Sequence, residues 1–202
     1  MGCMRVAVFG GSFDPPHLGH QLAALYVLET FPVDALWLVP VYRHAFDKPL
    51  SPFSHRLAMC HLVAESLGPR VFVSTVEQDL AGPSYTLNTI RRLQAEFPGA
   101  EFSLVIGSDL LKERERWHGF SDLSVAVRFL VLSRGGAEAD STALRLPTDE
   151  WPLHPITLPE VSSTLVRAAL RRGEKPTGLV SLRVLDYIHR HGLYAEHKEQ
   201  KP

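Results

Sequence analysis

The chain has 202 residues, 45% of them hydrophobic, which suits a single soluble domain with a substantial core. Its 21 basic and 22 acidic side chains nearly cancel to a net charge of −1, so no overall basic field draws it to nucleic acid. No apolar run reaches membrane-spanning length, and the two cysteines, Cys3 and Cys60, match no zinc or redox spacing. Both read as free thiols of a cytoplasmic protein with neither a nucleic-acid nor a membrane partner.

The opening MGCMRVAVFGG has too short an apolar run for a signal peptide. A myristoylation reading of Gly2 needs Ser or Thr where Val6 stands. Apolar runs that read as strands follow at Val6 to Phe9, Ala35 to Val39, Val71 to Val76, Phe102 to Ile106 and Val127 to Leu132. Helical spacing lies between them: Leu18, Leu22, Leu25 and Tyr26; then Leu57, Cys60 and Ala64; then Leu87, Ile90, Leu93 and Phe97. This alternation predicts an α/β fold with a doubly wound, mainly parallel sheet, because parallel strands need crossovers. Ligands of such sheets sit at the carboxyl ends of the strands. Residues 42–54 and 134–150 read as surface excursions. The last third carries a strand-like Ile156 to Val161, the helix-forming SSTLVRAALRRG, a helical Leu182 to Ile188 and a polar tail from Glu196 to Pro202. We expect one domain over 1–202, its helical C-terminal part at about 162–195.

The richest segment is GGSFDPPHLGH, directly after the first strand. Gly10 and Gly11 lack Cβ atoms, which suits a sharp turn and close approach of a ligand to the main chain. Asp14, Pro15 and Pro16 stiffen the turn, and a helix starting near Leu18 aims its unpaired N–H groups and positive dipole end at the same place. His17 and His20 are three apart, share a helical face and can both donate to phosphate oxygens. A Walker loop needs a Lys this stretch lacks, and the dinucleotide fingerprint needs a G-x-G-x-x-G spacing it does not supply. Zinc on the two histidines has no third ligand in a recognisable spacing, so no metal site is expected. The plainer alternative is two surface histidines on an ordinary strand-to-helix turn.

A second anion site is suggested by Ser162, Ser163 and Thr164, placed where a helix N-cap is expected, with Arg167 one turn on. Free amides at that helix start and a guanidinium fork both suit phosphate. Serine also caps helices with no ligand in view, and a first-turn Arg commonly faces solvent.

GGSFDPPHLGH, GPSYTLNTI, VIGSDLLKERERWHGFSDL, VSSTLVRAALRRGEKPTGL and YIHRHGLY follow one another in a way that resembles the bacterial nicotinate-nucleotide adenylyltransferases, of the nucleotidylyltransferase superfamily. The resemblance spans about Arg5 to Tyr194 and implies the Rossmann-like fold of that superfamily. It implies adenylyl transfer from ATP, with Mg²⁺, to nicotinate mononucleotide, giving nicotinate adenine dinucleotide and pyrophosphate in NAD biosynthesis. Catalysis would then fall to His17, His20, Lys48 and Arg167, and ATP binding to Gly10, Gly11, Ser12, Phe13, Gly107, Asp109, Ser162 and Ser163. Tyr85, Thr86, Trp117, His118 and His44 would line the acceptor pocket, with Trp117 stacking on the pyridine. On their own residues, the plainer alternatives are Trp117 as a core anchor, Asp109 as a helix cap and Tyr85 as a packing residue. The chain departs from the family pattern in three places. Ser12 stands for the usual Thr, VYRHAFDKP replaces a P-P-H-K loop and leaves Lys48 with His44 and Arg43 as its cations, and His118 takes a position where Tyr is common. Rival readings are the same chemistry on nicotinamide mononucleotide, phosphopantetheine or a phospho-alcohol, and a nucleotide-binding regulator without turnover. A homo-oligomer is compatible with all of them.

Overall fold

In the computed structural model, which describes residues 2–111, 114–132 and 159–195, the first strand β1 is Met4–Gly11. It is followed by α1 (Leu18–Thr30), β2 (Ala35–Pro40), α2 (Phe53–Leu67), β3 (Val71–Val73), α3 (Thr86–Glu96) and β4 (Ala100–Gly107). The short α4 (Ser108–Leu111), α5 (Phe120–Ala126), β5 (Arg128–Leu132), α6 (Ser163–Arg171) and α7 (Leu182–Arg190) complete the described elements. The five strands among the described residues pair in parallel in the order β3-β2-β1-β4-β5, which confirms the doubly wound α/β expectation.

Strand alternation places the core on both faces of the sheet. Ala7, Phe9, Leu36, Leu38, Val105 and Leu130 join the cluster shared with α1, α2, α6 and α7. Val6, Val8, Phe102, Leu104, Phe129 and Val131 point the other way, onto Leu87, Ile90 and Leu93 of α3 and Leu123 of α5. Two-sided burial is why these strands read as unbroken apolar runs rather than as alternating ones. Among the described residues no helix is long and apolar enough to cross a membrane.

The pairing register makes the crevice. β1 pairs with β4 from Met4 and Ala100 up to Val8 and Leu104. Beyond that point β1 stays with β2 as far as Gly11 and Pro40, while β4 stays with β5 as far as Gly107 and Leu132. The two half-sheets therefore separate at the switch point of the strand order, with GGSFDPPHLGH on one lip and Gly107 on the other.

Two sequence expectations need correction. The third strand ends at Val73 rather than Val76, because Val76–Asp79 winds into a 3₁₀ turn that brings the Glu77 carboxylate inward. Of the strand-like 156–161, residues 156–158 lie outside the described residues and 159–161 form no strand. The excursion at 134–150 and the tail 196–202 also lie outside the described residues.

Candidate functional site

The turn after β1 is built differently from the glycine turn its sequence suggests. Gly10 and Gly11 remain in the strand, and the left-handed residue is Phe13, at φ 45°. That conformation is costly for a bulky side chain. Packing holds it: the Phe13 ring is 1% exposed and lies edge-on to Phe9 (5.7 Å) and His20 (4.9 Å). Gly11 is needed for that ring, since a Cβ there would stand 3.2 Å from Phe13 Cζ. A Cβ on Gly10 meets nothing within 4 Å, so this position faces open space. The Asp14–Pro15 peptide is cis.

His17 is the N-cap of α1 and His20 its third residue. The rings stack at 3.7 Å with 24° between their planes, so the pair acts as one block. The His17 amide donates to His20 Nδ1 (3.1 Å), which leaves the ring hydrogen of His20 on Nε2. His17 is only 3% exposed, against the reading of two surface histidines. Gly19 backs the block, because its Cβ would stand 3.1 Å from both Cε1 and Nδ1 of His17. The expectation of unpaired amides at this helix start is corrected in part: the Leu18 amide already donates to Leu179 O (2.8 Å).

The second helix start reaches the same loop. Arg167 Nη1 donates to Asp14 O (2.6 Å) and Ser163 Oγ to Pro15 O (2.9 Å), so α6 grips the turn just ahead of His17. Arg167 Nη2 also donates to Thr164 Oγ1 (3.3 Å). A guanidinium has five N–H donors, so further acceptors can still be served. Ser162 caps α6 by accepting from the Leu165 amide (3.2 Å), hence that amide is not free as expected.

Lys48 and His44 line a cleft of about 360 Å³ with Tyr42, Arg43, Phe53 and Arg56. Burial lowers the pKa of His44 below the ordinary histidine value, and the charges of Lys48 and Arg56 lower it further. The cleft joins the loop after β1 through Arg56, which is 1% exposed and donates to Ser51 O (Nε, 2.9 Å) and Ser12 O (Nη1, 2.9 Å). Its far wall is tied by paired bonds: Ser84 N donates to Arg43 O (2.8 Å) and Arg43 N to Ser84 Oγ (3.2 Å). Beyond them Tyr85 stacks on His118 (4.3 Å, 27°), Thr86 opens α3, and the half-buried Trp117 packs edge-on to Phe120 (6.2 Å). Arg116 lies 4.9 Å above the Phe46 ring and closes this side. Gly107 ends β4 and Asp109 lies in α4, its side chain outside the described residues.

The pattern of the cytidylyltransferase-like family matches residues 8–169. A probable nicotinate-nucleotide adenylyltransferase of Myxococcus xanthus (strain DK1622) is 40% identical over 191 residues, 95% of either chain. The protein of the same name from Anaeromyxobacter dehalogenans (strain 2CP-1) is 38% identical over 196 residues, 96% of this chain and 98% of its own. This chain belongs to the cytidylyltransferase-like family and, within it, to the nicotinate-nucleotide adenylyltransferases. The fold agrees: a solved Plasmodium falciparum nicotinic acid mononucleotide adenylyltransferase complexed with NaAD superposes at a TM-score of 0.78, with 21% identity, over 95% of this chain and 97% of that one.

For this adenylyltransferase the described contacts bring His17, His20, Ser163 and Arg167 onto one loop, and Lys48, His44 and Arg56 onto the adjoining cleft. Sequence reasoning missed three buried polar groups. Arg56 sits on the apolar stripe of α2 beside Met59 and Cys60, a position where a charge signals a partner. Glu77 accepts from Tyr42 N (3.0 Å) and Thr89 Oγ1 (3.0 Å), and burial raises its pKa above the usual carboxylate value. The Asp14 carboxylate, 4% exposed, was read only as part of a turn.

Proposed function

We propose that this chain transfers the adenylyl group of ATP to nicotinate mononucleotide through the site just described. The observation that carries the reading is the bond from Arg167 to Asp14 O, 2.6 Å, which joins the two helix N-termini at the crevice of the sheet. A 5′-phosphate oxygen of the acceptor attacks the α-phosphorus of ATP. The bond from that phosphorus to the bridging oxygen of pyrophosphate breaks, and both electrons leave with the pyrophosphate. No covalent enzyme intermediate is needed, so the protein contributes alignment and charge stabilisation.

The His20 Nε2–H, on the ring locked against His17, donates to phosphate oxygens, while Arg167, Ser162 and Ser163 hold the triphosphate from the α6 side. Gly10, Gly11, Ser12 and Phe13 form the floor under the phosphates, and Gly107 with Asp109 receives the adenosine. Lys48 and His44 face the acceptor phosphate across the cleft, and Tyr85, Thr86, Trp117 and His118 enclose the pyridine. Among the described residues no group of three or more His, Cys, Asp or Glu side chains is placed to hold a metal ion. A Mg²⁺ ion would therefore enter with ATP, held mainly by the nucleotide, and would supply charge neutralisation at the triphosphate.

The test is pyrophosphate release from ATP with nicotinate mononucleotide, nicotinamide mononucleotide, phosphopantetheine and a phospho-alcohol, side by side. Fastest release with the nicotinate nucleotide supports the reading; preference for another acceptor replaces it, and ATP binding without release favours a regulator. His20→Ala should lower turnover by about 10²-fold, as the loss of a transition-state donor does elsewhere. Undiminished turnover would remove His20 from the chemistry.

A further inference from the structure

Beyond α7 the chain turns through His191–Tyr194, with Leu193 N donating to Ile188 O (3.0 Å) and Tyr194 in the left-handed region at φ 63°. A bulky residue adopts that conformation only when contacts fix it. The contact is long-range: Tyr194 Oη donates to Asp14 Oδ1 at 2.7 Å, across 180 positions of sequence. Burial and the carboxylate together push the phenol pKa well above the tyrosine range, so the group remains a donor.

Asp14 is thereby fastened from three directions. Its Oδ1 accepts from Tyr194, its Oδ2 from Ser51 N (3.1 Å) and its carbonyl from Arg167 (2.6 Å). Ser51 is itself fixed by Arg56, which also holds Ser12 O. On one side of Asp14 is Phe13, whose ring touches His20; on the other, two prolines lead stiffly to His17. A displacement of Asp14 is therefore passed to both imidazoles.

We propose that Tyr194 is a positioning residue of the phosphate-binding loop, its hydroxyl acting through the Asp14 carboxylate to fix the seat of His17 and His20. The proposal rests on the reading of that loop as the ATP-phosphate site. It gives the C-terminal turn a part in turnover although no atom of it need touch substrate.

The experiment compares the full chain with Tyr194→Phe, Asp14→Ala and the double variant, each scaled to its folded fraction by circular dichroism. Three readouts are taken: kcat, the separate KM values for ATP and acceptor, and deuterium uptake of the peptide spanning residues 12–20. Tyr194→Phe is expected to lower kcat about tenfold and to raise the KM for ATP while leaving the acceptor KM within about twofold, since loss of alignment rather than of pocket contacts is the cause. Its 12–20 peptide should exchange faster, and adding Tyr194→Phe to Asp14→Ala should cost less than about twofold more, because Asp14→Ala already removes the acceptor of the Tyr194 hydroxyl. Wild-type kcat, ATP KM and exchange in folded Tyr194→Phe overturn the proposal, as do fully additive losses in the double variant. If Tyr194→Phe does not fold, Asp14→Ala removes the same contact from its other end, and unchanged kcat there overturns it. If the unaltered chain releases no pyrophosphate with any acceptor, the adenylyl-transfer reading has failed, and the exchange comparison still decides whether Tyr194 holds the loop.

Discussion

Gly19→Ala separates activity from stability. The added Cβ would stand 3.1 Å from Cε1 and Nδ1 of His17 and 3.6 Å from Val161 O. The backbone contact is ordinary, and the ring contact is too short. His17 must then give way, and because it stacks on His20 at 3.7 Å the second imidazole is disturbed with it. Opposite effects on stability nearly cancel. Replacing a helical glycine by alanine gains about 1 kcal/mol, and loosening a stacked ring pair loses about 0.5–1.5 kcal/mol. For a chain of this size the melting temperature should stay within about 4 °C of the unaltered protein. Turnover should nevertheless fall about 10- to 100-fold, since even small misplacements of aligned groups are expensive in rate. Pyrophosphate release beside a thermal melt measures both. Full turnover in Gly19→Ala would refute the view that the glycine exists to seat the imidazole pair, and a collapse of the melting temperature would show that the His17 ring cannot yield to the added Cβ.

Two further expectations concern charge. Burial raises the pKa of Glu77 above its ordinary 4.5, so the folded state holds that proton more tightly than the unfolded chain does. The stability this contributes is fully present below pH 4.5 and is lost as pH rises through the folded-state value. Glu77→Gln removes the titration and can keep Tyr42 N and Thr89 Oγ1 as partners, its carbonyl facing the first and its amide the second. Relative to the variant, the unaltered chain should thus lose stability in urea unfolding as pH rises above 4.5, and a difference that is flat with pH contradicts the burial argument. For the cleft, Lys48→Gln removes one of the two positive charges that lower the His44 pKa. The imidazole should titrate higher by NMR, and an unmoved titration would mean that the Lys48 charge does not reach it.

The layered sheet was legible because each crossover helix carries its own apolar stripe and each strand is apolar on both sides. The start of α1 at Leu18 and the Ser162 cap of α6 were legible for the same local reason: caps and glycines act within a few residues. What could not be read was decided at a distance. Phe13 takes the left-handed turn that the two glycines advertise because the space for its ring is made by Gly11 and His20. The Leu18 amide is claimed by Leu179, and the Asp14 carboxylate by Tyr194, pairings that no spacing rule connects. Arg56 was the exception that could have been found, a lone charge on the stripe formed with Met59, Cys60 and Val63.

The parting of β1 and β4 after Val8 and Leu104 sets the gap between the walls in main-chain pairing, not in the side chains that face the ligand. Under the proposed function, exchange of His44 or His118 would retune which acceptor is taken while the span across the mouth is conserved. Redesign aimed at a longer or bulkier acceptor would have to begin at the floor of the opening, where the two ribbons diverge.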